Sequence, residues 1–281
     1  MSEEEIIKQT LIEDIGAGDH TSRAAIPAEL QGRMCLLVKE NGIIAGVDVA
    51  KKVLSLFDPT IKMENVAFRD GDKVTKGDIV FTLAGSARSM LTVERTLLNF
   101  MQRMSGIATN TRRYVDLIAD THTRILDTRK TTPNMRVFEK QAVKIGGAAN
   151  HRFGLFDMMM LKDNHIDFAG SIENAIDLAN QYQKEQGLNI AIEIEARDLE
   201  QVLQIVRHGG VQRIMFDNFT PSLIVEAMKI VNQQYETEAS GGITFDNLRE
   251  YALTGVDFIS VGALTHHIKS LDLSLKFNKL E

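Results

Sequence analysis

The chain has a single cysteine among its 281 residues, no apolar run near the ~20 residues that span a bilayer, and no basic N-terminal stretch. Cys35 therefore has no internal disulfide partner, and its place in "MCLLV" points to packing rather than to a reactive thiol. The acidic opening "MSEEEIIKQT" argues against a secretory signal, so a cytoplasmic protein without a membrane partner is expected. No G-x-G-x-x-G follows a strand-like run, which leaves a dinucleotide-binding fold without support. Positive charge is also in deficit. A net charge of −6 argues against nucleic acid as a partner, because that role needs a broad basic surface.

What remains is an ordinary globular composition, 44% hydrophobic and 25% charged, with length enough for a real core. The charge is unevenly spread. Residues 101 to 165 carry 11 Lys/Arg against 6 Asp/Glu, which leaves the rest of the chain at −11. A local basic patch in an acidic protein suits a small, highly anionic ligand.

Up to about residue 90 the pattern is strand-like. "GRMCLLVKENGIIAGV" suggests a hairpin about Asn41-Gly42, a helix is expected over 48–57, and "NVAFRDGDKVTKGDIVFTLAGSA" reads as short strands between Gly-Asp turns. These turns look like those of a biotinyl carrier domain, but too few residues separate Lys62 from Gly71 for the intervening strands. From 91 to 119 the apolar spacing is helical, with a break expected near Ser105-Gly106.

Beyond residue 120, strand-like runs alternate with amphipathic helices. The runs are "RILD", "MMMLK", "IAIEIE", "RIMFD", "YETEAS" and "DFISVG"; helices open at Ser171, before Leu199 and at Thr220-Pro221. Glu195, Asp217, Glu238 and Ser260 follow one another at intervals of 22, 21 and 22 residues, the mark of repeated βα units. A full eight-unit barrel takes about 250 residues. The chain is too short for that after residue 124, so an incomplete α/β barrel of six or seven strands is expected, with a doubly wound sheet as the alternative. The expected boundaries are 1–105 for a β-rich α+β N-terminal domain, 106–267 for the barrel, and a tail, 268–281, that packs back on the first domain.

Almost every strand-like run ends in a polar residue: Asp127 with Arg129 and Lys130, Lys162, Glu195, Asp217, Glu238 with Ser240, and then Gly262. Ligands bind at the carboxyl ends of parallel strands. Arg129, Lys130, His151, Arg152 and Lys162 call for a ligand with several negative groups. Glu193 and Glu195 share a strand face by period two, and with Asp217 they could hold a divalent metal or sugar hydroxyls, or pair with Lys130 or Lys162. "ASGGIT" and "SVGALTH" are glycine-bearing loops after the last two strands, suited to a phosphate. The residues alone thus indicate a metal-assisted barrel enzyme for a phosphorylated sugar and a carboxylate-bearing partner.

Seven motifs in order, "VERTLLNFMQRMSGIAT", "DTRKTTPNMR", "AVKIGGAANHRFGLFDMMMLKDNHI", "EIEA", "MFDNF", "EASGGIT" and "DFISVGALTH", resemble the quinolinate phosphoribosyltransferase family, also called carboxylating nicotinate-nucleotide pyrophosphorylases. The resemblance runs from "TLIEDIGAGDHTS" to "LDLSLKF". It implies a seven-stranded incomplete barrel and transfer from 5-phosphoribosyl-1-pyrophosphate to quinolinate, with Mg2+, giving nicotinate mononucleotide, pyrophosphate and CO2 in NAD biosynthesis. It also implies a homodimer, or a higher oligomer, in which the N-terminal domain of one subunit covers the barrel of the other.

In that reading Thr128, Arg129, His151, Arg152 and Lys162 bind quinolinate, joined by Arg95 from the partner subunit. Lys130, Glu195 and Asp217 are the catalytic set, with the two acids also in the magnesium shell. Ser240, Gly241, Gly242, Val261, Gly262 and Ala263 receive the 5′-phosphate. One departure is Ala148, where the family has glycine. The roles of Glu193, Glu238 and His266 stay open. Rival readings are a molybdenum-transport-associated relative of the same fold, a Schiff-base lyase using Lys130 or Lys162, and a non-catalytic anion-binding module.

Overall fold

The computed structural model describes residues 2–277. In chain order its elements are α1 (Glu3–Ile15), α2 (His20–Ala25), β1 (Gln31–Val38), β2 (Gly42–Ile43), α3 (Val47–Phe57), β3 (Lys62–Glu64), β4 (Lys73–Val74), β5 (Ile79–Ser86) and α4 (Ala87–Leu117). Then come β6 (Arg124–Leu126), α5 (Arg136–Ile145), β7 (Met159–Leu161), α6 (Asp163–Ala169), α7 (Ile172–Gln186), β8 (Ile192–Ala196), α8 (Leu199–His208) and β9 (Arg213–Asp217). The chain closes with α9 (Pro221–Val231), β10 (Glu236–Ser240), α10 (Leu248–Ala252), β11 (Phe258–Ser260), α11 (Ala263–His266) and β12 (Leu273–Phe277). No helix among the described residues is long and apolar enough to cross a membrane. Two compact units result. One comprises the chain to Arg112, Thr131–Gly147 and the chain from Leu264; the other comprises Arg113–Lys130 and Ala148–Ala263.

The first unit is built on a four-stranded antiparallel sheet, β12-β1-β5-β3, beside a two-stranded β2-β4 pair. In β1, Met34, Leu36 and Val38 turn to the core while Cys35 takes the half-buried face, as the strand period requires. The hairpin expected about Asn41-Gly42 does not form: β1 pairs with β5 and β12, and β2 with β4. The two opening helices were not expected. Ser2 and Glu5 close a capping box on α1, and Asp19 caps α2 by accepting from the Ser22 N–H at 2.9 Å. Residues 278–281 of the expected tail lie outside the described residues.

Nor does α4 break at Ser105-Gly106; it runs 31 residues without interruption. Both residues serve packing. The Ser105 hydroxyl accepts from the Ala45 N–H at 2.9 Å and donates to its carbonyl at 3.1 Å. A Cβ at Gly106 would lie 2.3 Å from the Lys269 carbonyl oxygen, so only glycine admits that chain. Glu139 of α5 is fully buried, and Arg103 and the Thr132 N–H satisfy its carboxylate at 2.8 and 3.1 Å.

The second unit is a parallel sheet ordered β6-β11-β10-β9-β8-β7, with the incomplete-barrel sequence of strand, helix, strand. It holds six strands rather than seven. The seventh is reduced to one parallel bridge, Leu126 to Ala149. The helix starts agree with the expected caps: Ser171, Asp198 and Thr220 accept from the N–H three residues on, and Pro221 takes the first helical position. Ile194, Ile214, Phe216, Ala239 and Ile259 are fully buried and fix the register that sets the strand ends level.

Candidate active site

The parallel register decides which residues meet. Ser240 pairs with Asp217, and Glu195 pairs with Met215, two residues before Asp217. The loop after β6 brings Thr128, Arg129 and Lys130 to the same end of the sheet, and Lys162 follows β7 directly. All the expected site residues of this unit thus lie at or just beyond the carboxyl ends of the strands, except His151, which sits deeper.

The cations are packed closely enough to disturb one another. Burial, and then the positive charge of Arg129, lower the pKa of Arg152. Like charges held together in a half-buried place produce a potential that an anion relieves. The Arg152 guanidinium also donates to the Met158 carbonyl at 3.2 Å. Across from it are two acids. Burial and the Glu195 charge raise the pKa of Asp217, which accepts from the Asn218 amide at 2.8 Å. Lys162 bridges the two halves through an ion pair with Glu195. That is one of the pairings the sequence left open.

The loop after β10 is shaped by its glycines. Gly241 and Gly242 have φ of +91° and +64°, a left-handed backbone that favours glycine. A Cβ at Gly241 would stand 2.1 Å from Asn218 Oδ1, whereas nothing lies within 4 Å of one at Gly242. The Asn218 N–H donates to the Ser240 carbonyl at 2.8 Å, and Asn247 holds the loop's far side by donating to the Gly242 carbonyl at 3.2 Å. Asn218 was not singled out in the sequence; its signal was a polar residue in a left-handed turn immediately after a strand-end acid. At the neighbouring loop, the Val261 N–H donates to the Leu126 carbonyl at 2.9 Å and fixes where Gly262 and Ala263 begin. Ala148 is half-buried and carries no polar group. Arg95 is exposed on α4 of the first unit.

Beneath the rim lies a buried ionic cluster. His151 Nε2 is 2.9 Å from Glu193 and 3.4 Å from Glu238, and Arg213 reaches Glu238 at 3.2 Å. Both glutamates are fully buried. Burial, then the Glu238 charge, push the Glu193 carboxyl up to about 7. Glu238 itself would be raised by burial, but His151, Ser260 and Arg213 hold it below the usual range. At His151 two tendencies compete. Burial opposes its charge, yet the glutamates pull its pKa up to about 9. The Arg152 backbone N–H lies 2.6 Å from Nδ1, which leaves Nε2 to face the two glutamates.

Comparison with known proteins decides the family. The quinolinate phosphoribosyl transferase N-terminal domain matches residues 19–105 and the C-terminal domain residues 107–276. The chain belongs to the quinolinate phosphoribosyl transferase family. Within that family it is 43% identical to the chloroplastic nicotinate-nucleotide pyrophosphorylase [carboxylating] of Arabidopsis thaliana, over 97% of this chain and 82% of that one. It is 42% identical to the probable nicotinate-nucleotide pyrophosphorylase [carboxylating] of Bacillus subtilis, over 96% and 91%. Among solved structures, NadC from Streptococcus pyogenes matches with a TM-score of 0.93 at 39% identity, over 98% of this chain and 96% of that one. These quinolinate phosphoribosyl transferase relatives confirm the fold that the residues indicated and leave the dinucleotide and carrier readings without a place.

Proposed function

We propose that the protein transfers the phosphoribosyl group of 5-phosphoribosyl-1-pyrophosphate to quinolinate with decarboxylation, giving nicotinate mononucleotide, pyrophosphate and CO2 for NAD biosynthesis. The observation that carries this reading is the joining of a crowded cationic half, Arg129 and Arg152, to an acidic half, Glu195 and Asp217, through Lys162. A pyridine dicarboxylate matches the first half and a ribosyl pyrophosphate the second.

In this reading Thr128, Arg129, His151, Arg152 and Lys162 surround the quinolinate carboxylates, and Lys130 lies between quinolinate and the pyrophosphate. As the pyridine nitrogen forms its bond to C1′, the bond from C1′ to pyrophosphate breaks. Positive charge grows on the ribose, and Glu195 and Asp217 stabilise it. The alkylated ring then withdraws electrons, takes up the pair left by departing CO2, and gains a proton at that carbon. Ser240, Gly241 and Gly242, with Val261, Gly262 and Ala263, cradle the 5′-phosphate.

Magnesium fits the donor set. Burial first, and then the Glu195 charge, raise the Asp217 pKa, and a divalent cation held between the two acids would offset both. Bound there with the substrate, Mg2+ would neutralise the pyrophosphate leaving group. Arg95, exposed on α4, is assigned to the quinolinate pocket of a partner subunit in a homodimer. We place the enzyme in the cytoplasm as part of this reading. The direct test supplies purified protein with quinolinate, 5-phosphoribosyl-1-pyrophosphate and Mg2+ and measures nicotinate mononucleotide and CO2 in equal amounts. Turnover of nicotinate in place of quinolinate would sink the decarboxylating assignment. For the shared site, an Arg95→Ala protein mixed with a Lys162→Ala protein regains activity if subunits exchange residues.

A further inference from the structure

Glu193 and Glu238 take no part in the steps above, yet both are fully buried carboxylates beside a buried histidine. Such a cluster costs several kcal/mol of desolvation unless every charge is met, and here it is met incompletely. Among the described residues, both Glu193 side-chain oxygens and Glu238 Oε1 lack a well-formed hydrogen bond.

The contacts differ between the two acids. The close ion pair of Glu193 is with His151, at 2.9 Å, while Arg213 acts on it from farther off. Glu238 approaches His151 at 3.4 Å, is tied to Arg213 at 3.2 Å, and accepts the hydroxyl hydrogen bond of Ser260. Arg213 is itself immobilised, clamped by Glu236 at 2.8 Å and stacked 4.1 Å above the Phe258 ring. From His151 the chain of contacts continues upward, because its Nδ1 accepts the Arg152 backbone N–H at 2.6 Å. Asp127 steadies the same segment, accepting from the His151 N–H at 2.8 Å and the Asn150 amide at 2.7 Å. From Ser260 the next residue is Val261, where the second phosphate loop begins.

We infer that Glu193 and Glu238 are positioning residues: Glu193 orients His151 and through it Arg152, whereas Glu238 ties this pyridine-binding segment to the Ser260-Val261 strand end that begins the phosphate loop. The inference rests on the proposed reaction and adds to it a division of labour within the buried pair. The same three side chains place ligand atoms within 4.8 Å of one another, close enough for a metal ion. Arg213, however, already supplies a fixed positive charge to Glu238.

The test compares Glu193→Gln with Glu238→Gln by steady-state kinetics. Removing the charge from a buried hydrogen-bond acceptor is expected to cost about tenfold or more in the affinity it supports. Glu193→Gln should raise the KM for quinolinate and leave that for 5-phosphoribosyl-1-pyrophosphate unchanged; Glu238→Gln should raise both. Adding Glu193→Gln to His151→Asn should change the quinolinate KM by less than about twofold, because the acid acts through the ring. Should either variant fail to fold, Ser260→Ala stands in, with a raised KM for the ribosyl substrate alone. Equal loss for both substrates in both glutamine variants, or full additivity with His151→Asn, overturns the inference. So does a stoichiometric metal retained by wild type and lost from Glu238→Gln. If wild type makes no nicotinate mononucleotide, the proposed reaction fails; isothermal titration of quinolinate into the same variants then still decides the positioning claim, Glu193→Gln losing affinity or not.

Discussion

The rim of the parallel sheet and the layer one pleat below it use the same residue types to opposite ends. At the rim, Arg152 is half-buried and its neighbour Arg129 is a like charge; Glu195 sits beside Asp217, another acid. Below, His151 and Arg213 stand against Glu193 and Glu238 in the protein interior, where the two acids also crowd each other. The buried layer thus carries its own counter-charges, whereas at the half-buried rim an outside ion can enter and relieve the crowding that Lys162 only partly offsets. Strand alternation alone aims both layers into the interior.

The widest gap should open at the cationic half of the rim. Arg152→Ala and Lys162→Ala each remove a charge-assisted contact worth about 2–3 kcal/mol, roughly thirty- to a hundred-and-sixtyfold in binding. Titration calorimetry should show that loss for quinolinate and much less for 5-phosphoribosyl-1-pyrophosphate. A matching loss for both ligands would erase the division of the rim into halves. Gly241→Ala follows. Its φ of +91° and the 2.1 Å approach to Asn218 leave no room for a methyl, so about 1–3 kcal/mol of strain is expected, with weaker binding of the ribosyl substrate. Gly242→Ala meets nothing within 4 Å and pays only for its φ of +64°. Denaturant midpoints and inorganic phosphate binding for the two variants separate crowding from backbone strain.

The rim was the more legible of the two layers. Glu195 and Asp217 lie 22 positions apart, Glu238 and Ser260 continue that spacing, and a repeat of that kind survives in one sequence because each βα unit is local. Of the layer below, the sequence named Glu193 and Glu238 but not their meeting. Glu193 and Glu238 come from strands some 45 residues apart, and only the fold brings them to one histidine. The same limit defeated the Asn41-Gly42 hairpin. The local turn signal was sound, but β1 found better partners in β5 and in β12, which begins 242 residues after β1 does. Ser105-Gly106 misled for a related reason: a pair that often breaks a helix was spent instead on close packing against Ala45 and Lys269.

A smaller effect should distinguish the layers by pH. The Glu193 carboxyl is raised to about 7 by burial and by the Glu238 charge. A carboxyl raised on folding contributes stability that is fully present below its unfolded value and lost as pH rises through the folded one. Wild-type Tm should therefore fall by a few degrees between pH 5 and pH 7, and Glu193→Gln should flatten that fall. Identical slopes for the two proteins would show that Glu193 is already ionised at pH 5 and that the lower layer is more polar than its burial suggests.

The smallest effect belongs to an ion pair outside both layers. Arg249 grips Asp120 with two hydrogen bonds, at 2.8 and 2.7 Å, and holds its carboxyl down at about 2. By geometry this is a better pair than any in the buried cluster. Yet Asp120 and Arg249 side chains are 64% and 44% exposed, so water and salt screen the attraction. A carboxyl lowered on folding contributes stability above its unfolded value and loses it only as pH falls through the folded one. Asp120→Asn should thus leave Tm at pH 7 unchanged within error in physiological salt, and narrow the difference from wild type further below pH 3. A clear loss at pH 7 would mean that hydrogen-bond geometry, not burial, ranks the charged groups of this protein, and the contrast between rim and lower layer would then need a different physical cause.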